Sequence, residues 1–128
     1  MSSGRRVLVI EDNLLNLELV SGVLESCRCD VITARTAEEG LDLAETMHPD
    51  LVLLDIRLPG MSGEAAISII RSDPRLRGLP VIAVTAQVMQ GDEAAALQAG
   101  FDAFLSKPID TRRLRDLVDV HLRVRTPR

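Results

Sequence analysis

Four short aliphatic runs, each closing on a polar residue of a kind that handles phosphate, constrain this chain more than any other feature. Residues 7–10 end at Glu11-Asp12, residues 51–54 at Asp55 and residues 80–84 at Thr85, while residues 103–105 lead through Ser106 to Lys107-Pro108. Each run has the length and aliphatic content of a strand buried on both faces, as in a parallel sheet covered by helices. In an open parallel sheet, ligands bind beyond the carboxyl ends of the strands. Residues up to 96 positions apart (Glu11 and Lys107) are therefore expected on one sheet edge. Three carboxylates, a hydroxyl and an amine gathered there make a site, because a core has no need of them.

Helical patterns separate the runs. Leu15, Leu19, Val20, Val23, Leu24 and Cys27 fall on one helical face. A short strand is expected over 30–34. Thr36, with Glu39 three residues on, reads as a capping box opening a helix whose stripe is Ala37, Gly40, Leu41, Ala44 and Met47. Pro49 ends that helix, and His48 sits at its C-terminus, where a partial positive charge is favoured. Ser62 is a cap for a helix over 65–71. An Ala-rich helix over 91–99 stops at Gly100, which suits a left-handed C-cap. Its alanine face predicts weak packing. The last helix sets Leu114, Leu117, Val118, His121 and Leu122 on one face.

Strands alternating with helices through short connections specify an α/β fold with a parallel sheet. Right-handed crossovers leave few topologies, and five units of about 25 residues suit a (βα)5 doubly wound five-stranded sheet in the flavodoxin-like order 2-1-3-4-5. Its switch point lies between strands 1 and 3, which would bring Glu11, Asp12 and Asp55 together. A length of 128 residues fits a single domain, 1–128, with 1–5 and 123–128 expected as frayed tails.

Composition removes several classes of function. A net charge of −4 argues against a nucleic-acid surface, and with only Phe101 and Phe104 as aromatics there is no platform for stacking bases. No apolar stretch approaches the roughly 20 residues that span a bilayer, and no signal segment opens the chain, so no membrane partner and a cytoplasmic location are expected. Cys27 and Cys29 cannot complete a zinc site unaided, and a small buried thiol is the plain reading of Cys27. The arginines at 112, 113, 115, 123, 125 and 128 read as a solvated face or a docking surface.

Three carboxylates at one edge repel. A pair about 4 Å apart at an effective dielectric of 20 costs roughly 4 kcal/mol. Either one is held protonated or a cation sits among them. Oxygen-only ligands favour Mg2+ or Ca2+ over zinc, and an open site with few protein ligands suits Mg2+ with retained waters. Thr85 and Lys107 could then hold phosphoryl oxygens, leaving Asp55 to act as a carboxylate nucleophile that forms an acyl phosphate. Lys107 is the one lysine among 15 basic residues. Lys107-Pro108 is also a candidate cis peptide.

Glu11-Asp12, Asp55 followed by Leu58-Pro59-Gly60, Thr85-Ala86 and Lys107-Pro108, with gaps of 30 and 22 residues between Asp55, Thr85 and Lys107, resemble the receiver domain of two-component response regulators. The likeness runs from about Arg6 to Leu122. Glu11-Asp12-Asn13 with Asn16, and the stretch from Met89 to Asp92, resemble stand-alone receivers of the DivK type and receivers of hybrid kinases. The resemblance implies that Asp55 accepts a phosphoryl group from the phosphohistidine of a sensor histidine kinase. It implies Mg2+ held by Asp12, Asp55 and the main-chain carbonyl of Arg57, with Glu11 acting through water. Thr85, Lys107 and the Ala86 amide would hold the phosphoryl group. Phe104 matches an aromatic switch position that follows Thr85, and Arg57 with Gln87 would tune how fast water reaches the acyl phosphate.

The expectation is a single-domain response regulator, catalysing nothing beyond its own phosphorylation and dephosphorylation. The chain stops about six residues after the last helix, so output is expected through protein contacts on the last two helices and the strand between them. Receivers of this kind occur as monomers and as homodimers through that surface. The alternatives are a relay intermediate passing phosphate to a histidine phosphotransfer protein, or a receiver fragment of a hybrid kinase. A phosphatase of the haloacid dehalogenase type would need an acid where Arg57 stands, and arginine cannot donate a proton near neutral pH. A flavodoxin-like flavin carrier would need a Ser/Thr-rich phosphate loop and aromatics that the chain lacks.

Overall fold

A computed structural model describes residues 5–86 and 92–125. Its elements alternate throughout: β1 (Arg6–Ile10), α1 (Leu14–Ser26), β2 (Asp30–Ala34), α2 (Ala37–Met47), β3 (Leu51–Asp55), α3 (Gly63–Ser72), β4 (Val81–Thr85), α4 (Asp92–Ala99), β5 (Ala103–Ser106) and α5 (Thr111–Arg125). All strand pairs are parallel, in the order β2-β1-β3-β4-β5. This is the doubly wound order expected from the sequence.

The inner strands β1, β3 and β4 are aliphatic runs because both faces of the sheet are covered there, while the edge strand β2 exposes Asp30 and Thr33. Val7, Val9, Leu51, Leu53, Ile82, Val84 and Leu105 pack with Val20, Val23 and Leu24 of α1 and Leu114, Val118 and Leu122 of α5. The alternate residues Leu8, Ile10, Val52, Leu54 and Ala83 pack with Ala37 and Ala44 of α2, Ala66, Ile67 and Ile70 of α3, and Ala96 of α4. On α2 the close approach is made at Gly40, where a Cβ would collide with the Ile10 side chain.

Local chemistry sets the helix ends. Asn13, Thr36 and Ser62 cap α1, α2 and α3, accepting from the main-chain N–H of Asn16, Glu39 and Ala65. The Glu39 carboxylate reaches back to the Arg35 N–H at 3.0 Å, one residue before the N-cap amide of Thr36 that a capping box names. Left-handed residues close α2 at His48 (φ 51°) and α4 at Gly100 (φ 118°).

α1 departs from the expected face. Leu15 is 77% exposed, and Leu14 and Leu19 are exposed as well, while Val20, Val23 and Leu24 are buried and Leu17 packs beside them. Apolar residues ring this helix, so periodicity alone does not select the stripe that meets the sheet. Met47 on α2 is likewise exposed, and Cys27 is half-buried beside the buried Cys29. Helix α5 runs through Arg125, past the start of the tail expected at 123.

At the opposite end of the sheet from Asp55, Arg71 of α3 works as a clamp. Its guanidinium donates to the carbonyls of Gly100 (2.9 Å), Arg77 (2.9 Å) and Leu79 (2.7 Å) and to the Asp102 carboxylate (2.8 Å). The same Asp102 oxygen accepts from the Val81 N–H at 2.8 Å. One side chain thus joins the end of α3, the α3–β4 connection and the turn after α4.

Candidate functional site

Parallel register carries the strand ends into one line. Ile10 stands opposite Leu54, Asp55 opposite Val84 and Thr85 opposite Ser106. Glu11, one residue past its strand pair, therefore flanks Asp55, and Lys107 follows Ser106 beside Thr85. The ladder continues into the loops: Glu11 N–H donates to Ala34 O (3.0 Å), Ile56 N–H to Val84 O (2.9 Å) and Lys107 N–H to Thr85 O (2.8 Å). Hydrogen bonding fixes the main chain at the site before any side chain acts.

The carboxylates of Glu11, Asp12 and Asp55 each offer an oxygen within 4.8 Å of the others. Glu11 and Asp55 are buried, at 3% and 4% exposure, and Asp12 is half-buried at the rim. The Lys107 ammonium lies 2.9 Å from Asp55 Oδ2 and 3.1 Å from Glu11 Oε1. Asp55 Oδ1 accepts from the Arg57 N–H (2.9 Å), and Glu11 Oε2 from the Asn13 N–H (3.1 Å). Gly63 is pressed against this corner: a Cβ there would come 2.6 Å from Ile56 Cα, so the turn after Asp55 closes only over a glycine.

Among the described residues, three carboxylates face the Lys107 ammonium, which leaves two negative charges in a partly desolvated pocket. Burial raises the pKa of Glu11, helped by the Asp55 charge, although the Asn13 amide and Lys107 pull it down. For Lys107, burial opposes the charged form, but hydrogen bonds to Asp55 and Glu11 outweigh it and its pKa is raised. The pocket is held together and still short of positive charge. Its donors are all oxygens, a set that fits a hard divalent cation.

Thr85 is buried at the end of β4, and Ala86 beside it is exposed. Phe104 is buried, with its main-chain carbonyl receiving Arg113 Nη2 at 3.2 Å. The Lys107-Pro108 peptide is cis. Arg57 is exposed two residues beyond Asp55, while Gln87 and residues 88–91, including Met89, lie outside the described residues. His48 lies at the end of α2, beside Asp50, which opens the way into β3 at the sheet edge opposite Asp55.

Sequence reasoning passed over Arg35. It follows β2, and its guanidinium donates to the main-chain carbonyl of Asp12 at 3.1 Å. The strand order puts the end of β2 beside the acidic loop, but which guanidinium meets the Asp12 carbonyl depends on how the loops approach, which no local spacing announces.

Comparison with known proteins places these features in a wider group. Residues 7–119 match the family described as the response regulator receiver domain. Polar-differentiation response regulator DivK from Brucella ovis is 42% identical over 118 residues, covering 92% of this chain and 96% of its own. Among solved structures, the receiver domain of a sensor histidine kinase from Pseudomonas aeruginosa PAO1, with a magnesium ion coordinated in its active-site cleft, superposes with a TM-score of 0.85 at 32% identity. It covers 94% of this chain and 98% of that one. A CheY-like response regulator receiver domain protein from Methanospirillum hungatei gives a TM-score of 0.84 at 30% identity, covering 94% and 95%.

Proposed function

Since the chain belongs to the response regulator receiver domain family, we propose that it is a DivK-like response regulator switched by phosphorylation of Asp55 in an Mg2+-dependent reaction. The observation that carries this reading is the ammonium of Lys107 bonded to Asp55 inside a trio of carboxylates still short of positive charge. A structural ion pair would be balanced, whereas this cluster carries a surplus of negative charge that a divalent cation would offset.

In the reaction, the N–P bond of a kinase phosphohistidine breaks as an Asp55 carboxylate oxygen forms the new P–O bond. The histidine nitrogen keeps the bonding pair. Asp12, Asp55 and the Arg57 main-chain carbonyl would hold Mg2+, with Glu11 acting through water, and the ion would supply neutralising charge to the phosphoryl oxygens. Lys107 is positioned to move from the carboxylates to a phosphoryl oxygen, because its stem is flexible and its ammonium a point charge. The Thr85 hydroxyl and Ala86 N–H lie at the adjoining strand end to receive the others. Phe104, opposite Ala83 in β5 and so diagonal to Thr85, would register a shift of Thr85. Outside its own phosphorylation and dephosphorylation the chain catalyses nothing.

Its partners are a sensor histidine kinase in the cytoplasm and a downstream protein met on the α4-β5-α5 surface. The described residues contain no helix long and apolar enough to cross a membrane. Arg112 and Arg115 are exposed on α5, and a charge swap at both is expected to weaken partner binding or dimerisation. Replacing Arg57 and Gln87 together is expected to change the lifetime of the acyl phosphate more than its yield.

The deciding experiment is intact mass after incubation with Mg2+ and a small phosphoryl donor, with Asp55→Asn as the control. One phosphoryl adduct, lost with EDTA and lost in Asp55→Asn, is the expected result. No adduct from the donor or from a panel of phosphorylated kinases would overturn the reading.

A further inference from the structure

We infer that Arg35 is a positioning residue for the acidic site, fixing through the Asp12 main chain where the Asp12 carboxylate meets a divalent cation. This rests on the metal-binding reading above. The loop that carries two of the three carboxylates is held from three directions. Glu11 N–H donates to Ala34 O at 3.0 Å and Asn13 N–H to Glu11 Oε2 at 3.1 Å, while Asn13 Oδ1 caps α1 by accepting from the Asn16 N–H at 3.0 Å. These bonds secure the residues on either side of Asp12. Asp12 itself is held at its carbonyl by Arg35 Nη2 at 3.1 Å.

Arg35 can do this because its own main chain is pinned. Ala34 before it is the last residue of β2 paired with β1, and the Arg35 N–H is taken by Glu39 Oε1 at 3.0 Å in the cap of α2. The guanidinium is therefore a strut from the start of α2 to the half-buried end of the acidic cluster. Asp12 is the carboxylate of the three that lies at the rim, where fixing the main chain has most to add. Losing a group that orients a metal ligand typically costs about 10–100-fold in metal affinity.

A rival role for the same side chain predicts the opposite sign. If Arg35 acted only as a nearby positive charge, removing it would tighten a cation, and salt would screen the effect. If it acts as a strut, removing it loosens the cation at any ionic strength. The sign of the change separates them.

The test is a titration of Mg2+, followed by backbone amide shifts at 0.5 M KCl, in wild type, Arg35→Met and Arg35→Lys. Thermal melting in EDTA is recorded alongside. Arg35→Met should bind Mg2+ about fivefold more weakly, less than the ~10–100-fold typical for groups bonded directly to a metal ligand, because Arg35 acts through the Asp12 main chain. Arg35→Lys, which keeps a donor but not the planar fork, should fall between the two. Melting in EDTA should fall by only a few degrees, the share of one exposed hydrogen bond, because Thr36 and Glu39 still cap α2, so a general loss of fold would not mimic the result. Unchanged or tighter Mg2+ in Arg35→Met overturns the strut. Should Arg35→Met melt early, Arg35→Lys decides by the same criterion. Failure of the wild type to bind Mg2+ at all would overturn the metal reading itself, a result distinct from either.

Discussion

Two charged clusters close opposite ends of the same sheet, and they are built on opposite principles. Arg71 sets one cation among four acceptors that match its fork, three carbonyls and the Asp102 carboxylate. Glu11, Asp12 and Asp55 set three anions around one ammonium. The first cluster is satisfied as it stands, and any ligand would have to break it. The second is stable enough to fold and remains electrostatically incomplete. Balance marks structure, and a surplus of one sign marks a place that waits for a ligand.

Replacing Arg71 tests the balanced end and should have the largest effect. Arg71→Met strips four hydrogen bonds and leaves Asp102 and three carbonyls to find water. The side chain is a quarter exposed, which tempers the loss to about 3 kcal/mol. Chemical denaturation should show that loss while Mg2+ affinity stays at the wild-type value. A fall in Mg2+ affinity matching the fall in stability would erase the distinction between the two clusters.

Lys107→Met probes the unbalanced end, with a smaller expected loss. Without the ammonium, Glu11 and Asp55 face each other unneutralised, at a cost of about 2 kcal/mol in EDTA. Here a ligand can compensate. Mg2+ at 20 times its dissociation constant adds about 1.8 kcal/mol to a fold that binds it. The more negative variant should bind Mg2+ more tightly and so gain more than wild type from the same addition. Equal gains in melting temperature would mean that the ammonium and the cation do not share the same carboxylates.

The site was legible in the sequence because strand ends in a parallel sheet are a one-dimensional code. A buried aliphatic run followed by a polar residue states both the strand and where it ends, and Glu11, Asp12, Asp55, Thr85 and Lys107 could all be placed from that alone. The doubly wound order followed from the alternation of strands and helices. Helix α1 was harder: with Leu14, Leu15, Leu17, Leu19 and Val20 nearly consecutive, the apolar pattern fits several faces, and sheet contact chose the one through Val20, Val23 and Leu24. Arg35 and Arg71 were invisible for a different reason. A chain with 14 arginines gives no hint which guanidinium will find carbonyls, because that depends on the three-dimensional approach of loops rather than on local spacing.

The smallest expected effect lies in the pH dependence of the unbalanced cluster. Burial raises the Glu11 pKa above its ordinary 4.5, so the folded state holds that proton at a pH where the unfolded chain has released it. Glu11 therefore favours folding most below about 4.5 and loses that contribution as pH rises through the raised value. Lys107, whose pKa is raised from 10.5, stays charged across this window and adds no slope of its own. Glu11→Gln keeps an oxygen acceptor for Asn13 and Lys107 while removing a charge that the fold disfavours. In EDTA at pH 7 it should melt about 2 °C above wild type, and the gap should close as pH falls towards 4.5. The same substitution should weaken Mg2+ at pH 7, since the charge that costs stability in EDTA is the one that attracts a cation. A variant less stable than wild type at pH 7 would mean that the Glu11 carboxylate is worth more to the fold as a partner of Lys107 than it costs beside Asp55, and the acidic end would then be as balanced as the Arg71 end.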